Sequence, residues 1–281
     1  MFRNIHTHYI QPMRTFQRDA RLFLWMTVIN GIILSGWQLF FNIYMLQSGF
    51  TREFLGIINS LPSLTALLLG IPIGRLSDRM GRKQAIIIGI LGSGLTFLGQ
   101  VTFKQPVVII IMAALTGIFN MFVIVSTSPL MMKLSDEKNR TLLFSLNYGL
   151  QTLAGAVGSL FAGQLPALFE SFLDVGKSNA VAYQVVLIMM VLLGTTALIP
   201  LWKMTEPPTS EPSPESGSRR AGLLSGLTRM TVKLATPNFL IGVGAAILIP
   251  YMNVFFKDRF AISDSLLGLF FSLSSLFVGV G

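Results

Sequence analysis

The stretch that decides the fold is GRLSDRMGRK, residues 74–83, which lies between two long apolar segments. It holds four cations, the single carboxylate of Asp78 and two glycines. A short basic loop between uncharged segments is typical of a membrane protein, in which cations hold a loop on one side of the bilayer. The segments on either side of the loop should therefore cross a membrane.

The charged residues of the whole chain are few and clustered. The 281 residues are 52% hydrophobic and 12% charged, whereas soluble domains carry about a quarter charged residues. A helix crosses a bilayer with roughly 20 apolar residues, and seven uncharged runs are that long. With an eighth, shorter run at the end they are residues 22–51, 54–74, 84–103, 105–132, 141–169, 178–202, 234–256 and 265–281. Because they lack the alternation of a transmembrane barrel, the sequence predicts an all-α membrane protein.

Lysine and arginine are distributed unequally between the two sides of such a bundle. Segments on the side of the N-terminus hold 16 of the 21, and segments on the other side hold five. Since cytoplasmic loops are enriched in cations, we predict a multi-pass protein of the cell membrane with a cytoplasmic N-terminus. The net charge of +9 is explained by cations that lie beside the anionic lipid of the cytoplasmic leaflet, which attracts them. The basic segments lack the interleaved aromatics of a nucleic-acid site, so the expected partner is the lipid bilayer and not nucleic acid.

A polar segment divides the chain. TEPPTSEPSPESGSRR, residues 205–220, is rich in Pro, Ser and Glu, which cannot bury a core, and it predicts a disordered linker. The following AGLLSGLTRMTVKL, residues 221–234, has the apolar and basic sides of a helix lying at the membrane interface; an ordinary linker helix is the alternative. The predicted parts are a six-helix transmembrane half (1–202), a cytoplasmic linker with the interfacial helix (203–235) and the start of a second half (236–281).

The second part repeats the first. The sequence from Asn253 matches that from Asn42 when one inserted residue is allowed, and Gly268 then pairs with Gly56. Spans 7 and 8 are therefore predicted to be second copies of spans 1 and 2, in two parallel halves related by an axis along the membrane normal. A chance similarity between two apolar segments is the alternative.

The loop at residues 74–83 fits the pattern G-x-L-[AS]-D-[RK]-x-G-R-[RK] and resembles the signature between spans 2 and 3 of the major facilitator superfamily. The resemblance implies the bundle of that superfamily. This chain would supply the six-helix N-terminal half and the first two helices of the second half, of which the last is incomplete. It would then cover about two thirds of a 12-span transporter.

The resemblance also implies that the loop is a conformational latch between the halves, with Arg140 as a charge partner of Asp78. Without the family, Gly74 permits close approach of a neighbouring helix, Gly81 supplies a turn, and Asp78 can pair with a cation or a helix N-terminus. A loop that only sets topology is the alternative, although topology requires neither Asp78 nor the glycines. The predicted latch residues are Gly74, Asp78, Arg79, Gly81, Arg82, Lys83 and Arg140.

Neutral polar and aromatic side chains are candidates for a substrate cavity. The resemblance places spans 1, 4 and 7 around a central path, and span 5 has further amides. The candidates are Asn30, Trp37, Gln38, Phe41, Asn42, Thr116, Asn120, Asn147, Tyr148, Gln151, Tyr251 and Asn253. Such groups suit an uncharged or amphipathic ligand. Hydrogen bonds between helices are the alternative role for each of them.

The coupling residues of familiar transporters are missing. In the Arg-x-x-Gln-Gly motif that proton-coupled members often carry in span 4, Ala113 and Thr116 replace the arginine and the glutamine, and the eight runs contain no ionisable group other than tyrosine. The resemblance implies a transporter of a small organic solute that works by alternating access, and the uncharged, aromatic path favours efflux over uptake.

Other classes of function have less support. A non-transporting scaffold or sensor on the same fold is the alternative function. An enzyme is not expected, because the only histidines, His6 and His8, lie in the N-terminal tail and no span has paired carboxylates. We expect no cofactor and no metal, and we expect the full-length protein to be monomeric.

Overall fold

The computed structural model describes residues 16–176, 178–205 and 229–280, and this part of the chain contains helices and no strand. The helices are α1 (Arg18–Gln47), α2 (Arg52–Met80), α3 (Arg82–Thr102), α4 (Pro106–Lys133), α5 (Arg140–Ala162), α6 (Leu165–Phe172), α7 (Ala180–Thr195), α8 (Leu198–Lys203), α9 (Arg229–Leu248), α10 (Met252–Phe260) and α11 (Asp264–Val280). A 3-10 turn, Ile249–Tyr251, joins α9 to α10.

Seven helical stretches of the described residues are long and apolar enough to cross a membrane. They are Arg18–Gln47, Arg52–Met80, Arg82–Thr102, Pro106–Lys133, Arg140–Phe172, Ala180–Lys203 and Ala235–Phe260. The eighth predicted run forms the shorter apolar helix α11. The prediction of an all-α membrane protein is confirmed.

Short turns at the two ends of the bundle are fixed by single residues. Gly81 joins α2 to α3 with a φ of 96°, a left-handed conformation that glycine adopts without a Cβ clash, so the predicted turn is confirmed. At the other end the Thr51 hydroxyl accepts the Phe54 N–H and the Asn179 side-chain oxygen Oδ1 accepts the Val181 N–H, which caps α2 and α7. We call the end that contains Gly81 the basic face and the end that contains Thr51 and Asn179 the opposite face.

Three predicted spans are interrupted in the structure. Pro166 opens α6 after a break at Gly163, and α7 and α8 are separated near Thr196. Pro250 lies in the 3-10 turn between α9 and α10. Proline has no N–H and its ring clashes with the preceding helical turn, which explains why the run around Pro250 is not one continuous helix.

Helix α1 occupies the centre of the packing. It contacts α5, α7 and α10, while α4 packs against both α2 and α3, and α5 also packs against α11. Small residues of α5 form a packing surface: Gly155 faces α1, and Gly163 lies against Gly268 of α11. Small residues allow this close approach of helix backbones.

The predicted disordered linker and most of the predicted interfacial helix lie outside the described residues, and the domain bounds stay predictions. The described chain resumes at Arg229, where α9 begins and runs without interruption to Leu248.

Candidate functional site

A cavity of about 430 Å³ lies among α1, α3, α4, α5 and α7. Its wall includes six of the predicted residues, Asn30, Trp37, Gln38, Asn120, Asn147 and Gln151. It also includes polar residues that were not among the candidates, namely Thr27, Ser93, Thr127 and Thr195, together with apolar side chains. None of the described residues in the wall carries a charge. The cavity therefore offers hydrogen bonds and apolar contact without an ion pair.

Two amides of the wall are held by hydroxyl groups on neighbouring helices. The Thr27 hydroxyl of α1 donates to Asn147 Oδ1 of α5 at 2.7 Å, and Ser93 Oγ of α3 lies 3.0 Å from Asn120 Oδ1 of α4. Each amide has two donor hydrogens and an acceptor oxygen, so one such contact leaves hydrogen-bonding capacity for a ligand. The two amides are thus positioned before a ligand arrives.

Aromatic rings form the apolar part of the wall near the middle of α1. Trp37 stacks on Phe41 at a centroid distance of 4.7 Å and meets Phe97 of α3 at 4.2 Å. Trp37 and Phe97 line the cavity, whereas Phe41 is buried behind Trp37. Stacked rings have well-defined positions and present a flat surface to a ligand.

The remaining candidates lie outside the cavity wall. Thr116 accepts from Gln100 Nε2 at 2.8 Å and lies 2.8 Å from the Thr96 hydroxyl, which joins α4 to α3. Tyr148 is largely exposed on α5. Asn42, Tyr251 and Asn253 lie beyond the cavity, towards the opposite face, where α1 meets the broken helix of span 7.

A buried ion pair also lies near the opposite face. Lys257 Nζ of α10 lies 2.6 Å from Asp264 Oδ1 of α11, and both side chains are at least 85% buried. The Tyr183 hydroxyl of α7 donates to the same carboxylate at 2.9 Å and accepts from Lys257. The cluster therefore connects the six-helix half to the segment after the linker. The hydropathy pattern does not predict this cluster, because Lys257 and Asp264 lie just outside the apolar runs 234–256 and 265–281.

The loop on the basic face is held mainly by its own residues. The Asp78 carboxylate pairs with Arg82, which also donates to Ser77 Oγ at 3.1 Å. Ser77 in turn lies 2.6 Å from Ser126 Oγ of α4, and Lys83 Nζ donates to the Met204 carbonyl at 2.6 Å. The loop is thus fastened to α4 and to the end of α8.

Two predicted details of this loop differ from the structure. No ion pair of the described residues joins Asp78 to Arg140, whose Nε is buried without a hydrogen-bond partner there. Gly74 makes no close helix contact, since a Cβ added to it would meet no described heavy atom within 4 Å. At this turn of α2 the neighbouring Ile73 is the buried residue, and it belongs to a cluster with Ala85 of α3 and Phe122 of α4.

The chain is similar to known proteins over most of its length. The family model for the major facilitator superfamily matches residues 23–281. An uncharacterized MFS-type transporter, YqjV of Bacillus subtilis (strain 168), is 27% identical over 133 residues, which are 47% of this chain and 32% of that protein.

Solved structures of a bacterial homolog of the human lysosomal transporter Spinster share the fold. Its inward-facing, unoccupied form has a TM-score of 0.65 at 16% identity, over 89% of this chain and 57% of that one. Its inward-facing, occupied form has a TM-score of 0.63 at 16% identity, over 89% and 56%. The chain therefore spans about a third of the curated relative and somewhat more than half of these solved structures. With a family model matched over nearly all of its residues, the chain belongs to the major facilitator superfamily.

Proposed function

We propose that this chain forms the substrate-binding part of a secondary transporter that moves a small organic solute across the cell membrane by alternating access. The observation that carries the proposal is the cavity of about 430 Å³, whose described wall combines amides, hydroxyls and aromatic rings without a charged side chain. Ligand sites of this size typically hold drug-sized molecules and use a few polar groups to orient them.

The composition of the wall supports an uncharged or amphipathic solute. A charged ligand would lose its hydration without gaining a counter-ion, and such a loss is costly in an apolar interior. Asn120 and Asn147 can bind its polar end, while Trp37 and Phe97 can cover its apolar part. An amphipathic solute of this kind partitions into the bilayer by itself, and this supports export as the direction of transport.

The distribution of cations supports the orientation. The basic face holds the loop at residues 74–83 and the turn at residues 134–139, and cytoplasmic loops are the ones enriched in lysine and arginine. We therefore place the basic face and the N-terminus in the cytoplasm. The cavity, whose residues lie nearer this face along α4, α5 and α7, would then be loaded from the cytoplasm by a monomeric protein.

A paired substitution tests the cavity. Gln151→Ala removes a wall amide, and the control Gln47→Ala removes an exposed amide at the end of α1 outside the wall. Purified protein is reconstituted in proteoliposomes, and flux is measured for a set of neutral amphipathic solutes and for charged analogues of each. We expect flux of a neutral solute, a fall of about 10-fold in its apparent affinity in Gln151→Ala, as for the loss of one hydrogen bond, and no change in Gln47→Ala.

The result separates the candidate functions. Flux that is equal in Gln151→Ala and in the control would remove the cavity from the pathway. Saturable binding of a neutral solute in a thermal-shift measurement, without flux in either direction, would favour the sensor over the transporter. Preference for a charged analogue would contradict the proposed class of substrate.

A further inference from the structure

Two asparagines cross-link α1 and the broken helix of span 7 in a reciprocal manner. Asn42 Nδ2 of α1 donates to the Pro250 carbonyl at 2.5 Å. In the other direction, Asn253 Nδ2 donates to the Leu39 carbonyl at 2.9 Å and to the Gln38 carbonyl at 3.1 Å. In each direction, a side-chain amide of one helix donates to a backbone carbonyl of the other.

The reciprocity follows the internal repeat. Asn253 lies 211 residues after Asn42, and Pro250 lies 211 residues after Leu39. The bond from Asn42 to Pro250 and the bond from Asn253 to Leu39 are therefore the same bond in the two copies. Equivalent contacts on both sides are expected where the symmetry axis between two repeated halves passes through an interface.

The local structure prepares both amides for this contact. Asn59 Nδ2 of α2 donates to Asn42 Oδ1 at 3.1 Å, which leaves the Asn42 amino group for Pro250. Asn253 Oδ1 accepts the Val254 N–H at 2.8 Å. In a regular helix that N–H would use the carbonyl of Pro250. The broken helix at Pro250 therefore supplies both groups that span 7 offers to α1: the Pro250 carbonyl as acceptor and the Asn253 amino group as donor.

The contact is sealed from solvent and independent of charge. Asn42 is 5% exposed and Asn253 is 1% exposed, and all three acceptors are backbone carbonyls. Without Asn42 the Pro250 carbonyl would lose its donor, since the Val254 N–H is bound by Asn253, and an unpaired buried carbonyl is costly. Gln38, which lines the cavity, also accepts one of these bonds, so the contact adjoins the cavity on the side of the opposite face.

We propose that Asn42 and Asn253 are the gate of the transport pathway at the opposite face, a charge-neutral clasp that closes this side while the cavity is accessible from the basic face. The proposal rests on the proposed alternating access, and it assigns these asparagines to gating rather than to contact with the solute. Opening the gate breaks three amide–carbonyl hydrogen bonds at once, and each of the two asparagines supports the same closed state.

Labelling of a reporter cysteine tests the gate. The 281 residues contain no cysteine, so Gln38→Cys places a single thiol of this chain in the cavity wall, and the carbonyl of residue 38 is kept. A membrane-impermeant maleimide is applied to either side of sealed vesicles that contain the protein. The reporter is combined with Asn42→Leu, with Asn253→Leu, or with the control Asn139→Leu at the start of α5 on the basic face.

We expect labelling from the basic-face side alone in the reporter protein and in the control. Either clasp substitution should raise the labelling rate from the opposite side by at least about fivefold, because it removes amide–carbonyl hydrogen bonds that only the closed state makes. The two substitutions should act to a similar extent, as symmetry-related positions would. Asn42→Ala, which removes the donor and adds no bulk, should have the same effect if Asn42→Leu does not reach the membrane.

The opposite outcomes overturn the inference. Labelling from the opposite side that is no faster in the clasp variants than in Asn139→Leu would show that the asparagines do not hold the gate. Equal labelling from both sides of the reporter protein would show that no gate is closed there. The labelling measurement needs no solute, so it is independent of the flux measurement. If the clasp variants are labelled as expected but the protein shows no flux, the proposed function is rejected and the gate is retained.

Discussion

The Asp78 carboxylate is bound to Arg82 of its own loop, and Arg82 and Lys83 bind the loop to α4 and to the end of α8. Asp78 is itself exposed, so its partner can change without a large cost of burial. A carboxylate that exchanges partners between two conformations suits a latch. The absence of an ion pair with Arg140 among the described residues is consistent with one of those conformations.

Asp78→Asn tests the latch. The amide cannot form the ion pair with Arg82, so we expect normal membrane insertion and a loss of transport rate of about fivefold or more, the lower range of conformational coupling energies. Flux per molecule is measured in proteoliposomes at matched protein content. The control is Asp136→Asn, an exposed acid in the next turn of the basic face, and a mutant as active as that control would refute a role for Asp78.

At the scale of the helices, the packing of α4 on α2 depends on a glycine. Gly117 of α4 lies so close to α2 that an added Cβ would overlap Thr65 and Pro62. Gly117→Ala should therefore destabilise the protein by about 1–3 kcal/mol, as overpacking does. Gly149→Ala on α5 meets no described atom within 4 Å and should be neutral or slightly stabilising, since alanine favours a helix. Thermal unfolding in detergent compares the two, and equal midpoints would contradict the packing of α2 on α4.

Hydropathy and charge were sufficient to predict the spans and the loop between α2 and α3, because crossing a membrane imposes a long uncharged helix. The side of each helix that meets the cavity was harder to predict. Asn30 and Gln38 line the cavity and Asn42 does not, although all three lie in one helix. Ser93 was missed because a hydroxyl in a membrane helix commonly bonds its own backbone, as Ser93 also does to Gly89 at 2.6 Å.

At the scale of the whole molecule, two ion pairs of the described residues lie where the six-helix half meets the segment after the linker. Arg52–Asp258 joins the two parts directly, whereas Lys257–Asp264 lies within the later segment and contacts the six-helix half through Tyr183. The Lys257–Asp264 pair with Tyr183 is buried, whereas the pair of Arg52 and Asp258 is exposed, with side chains 74% and 48% accessible. Asp264→Asn would leave Lys257 buried without its carboxylate, at a cost of about 3 kcal/mol or more in the free energy of unfolding. Asp258→Asn should cost at most about 1 kcal/mol.

Thermal unfolding of the two asparagine variants at the same pH and salt measures this difference. A lower midpoint in Asp264→Asn alone is expected, and an equal or larger effect of Asp258→Asn would contradict the structural assignment of the buried pair.

The reciprocal bonds of Asn42 and Asn253 have a consequence for the history of the chain. In a homodimer of one ancestral six-helix protein, a single asparagine near the two-fold axis would have made the same contact twice, once from each subunit, as isologous interfaces do. One mutation in that ancestor would have created both bonds together. Under the predicted repeat, gene duplication and fusion would preserve the interface from the outset, and the two copies would be free to diverge around it, as at the paired positions Leu39 and Pro250.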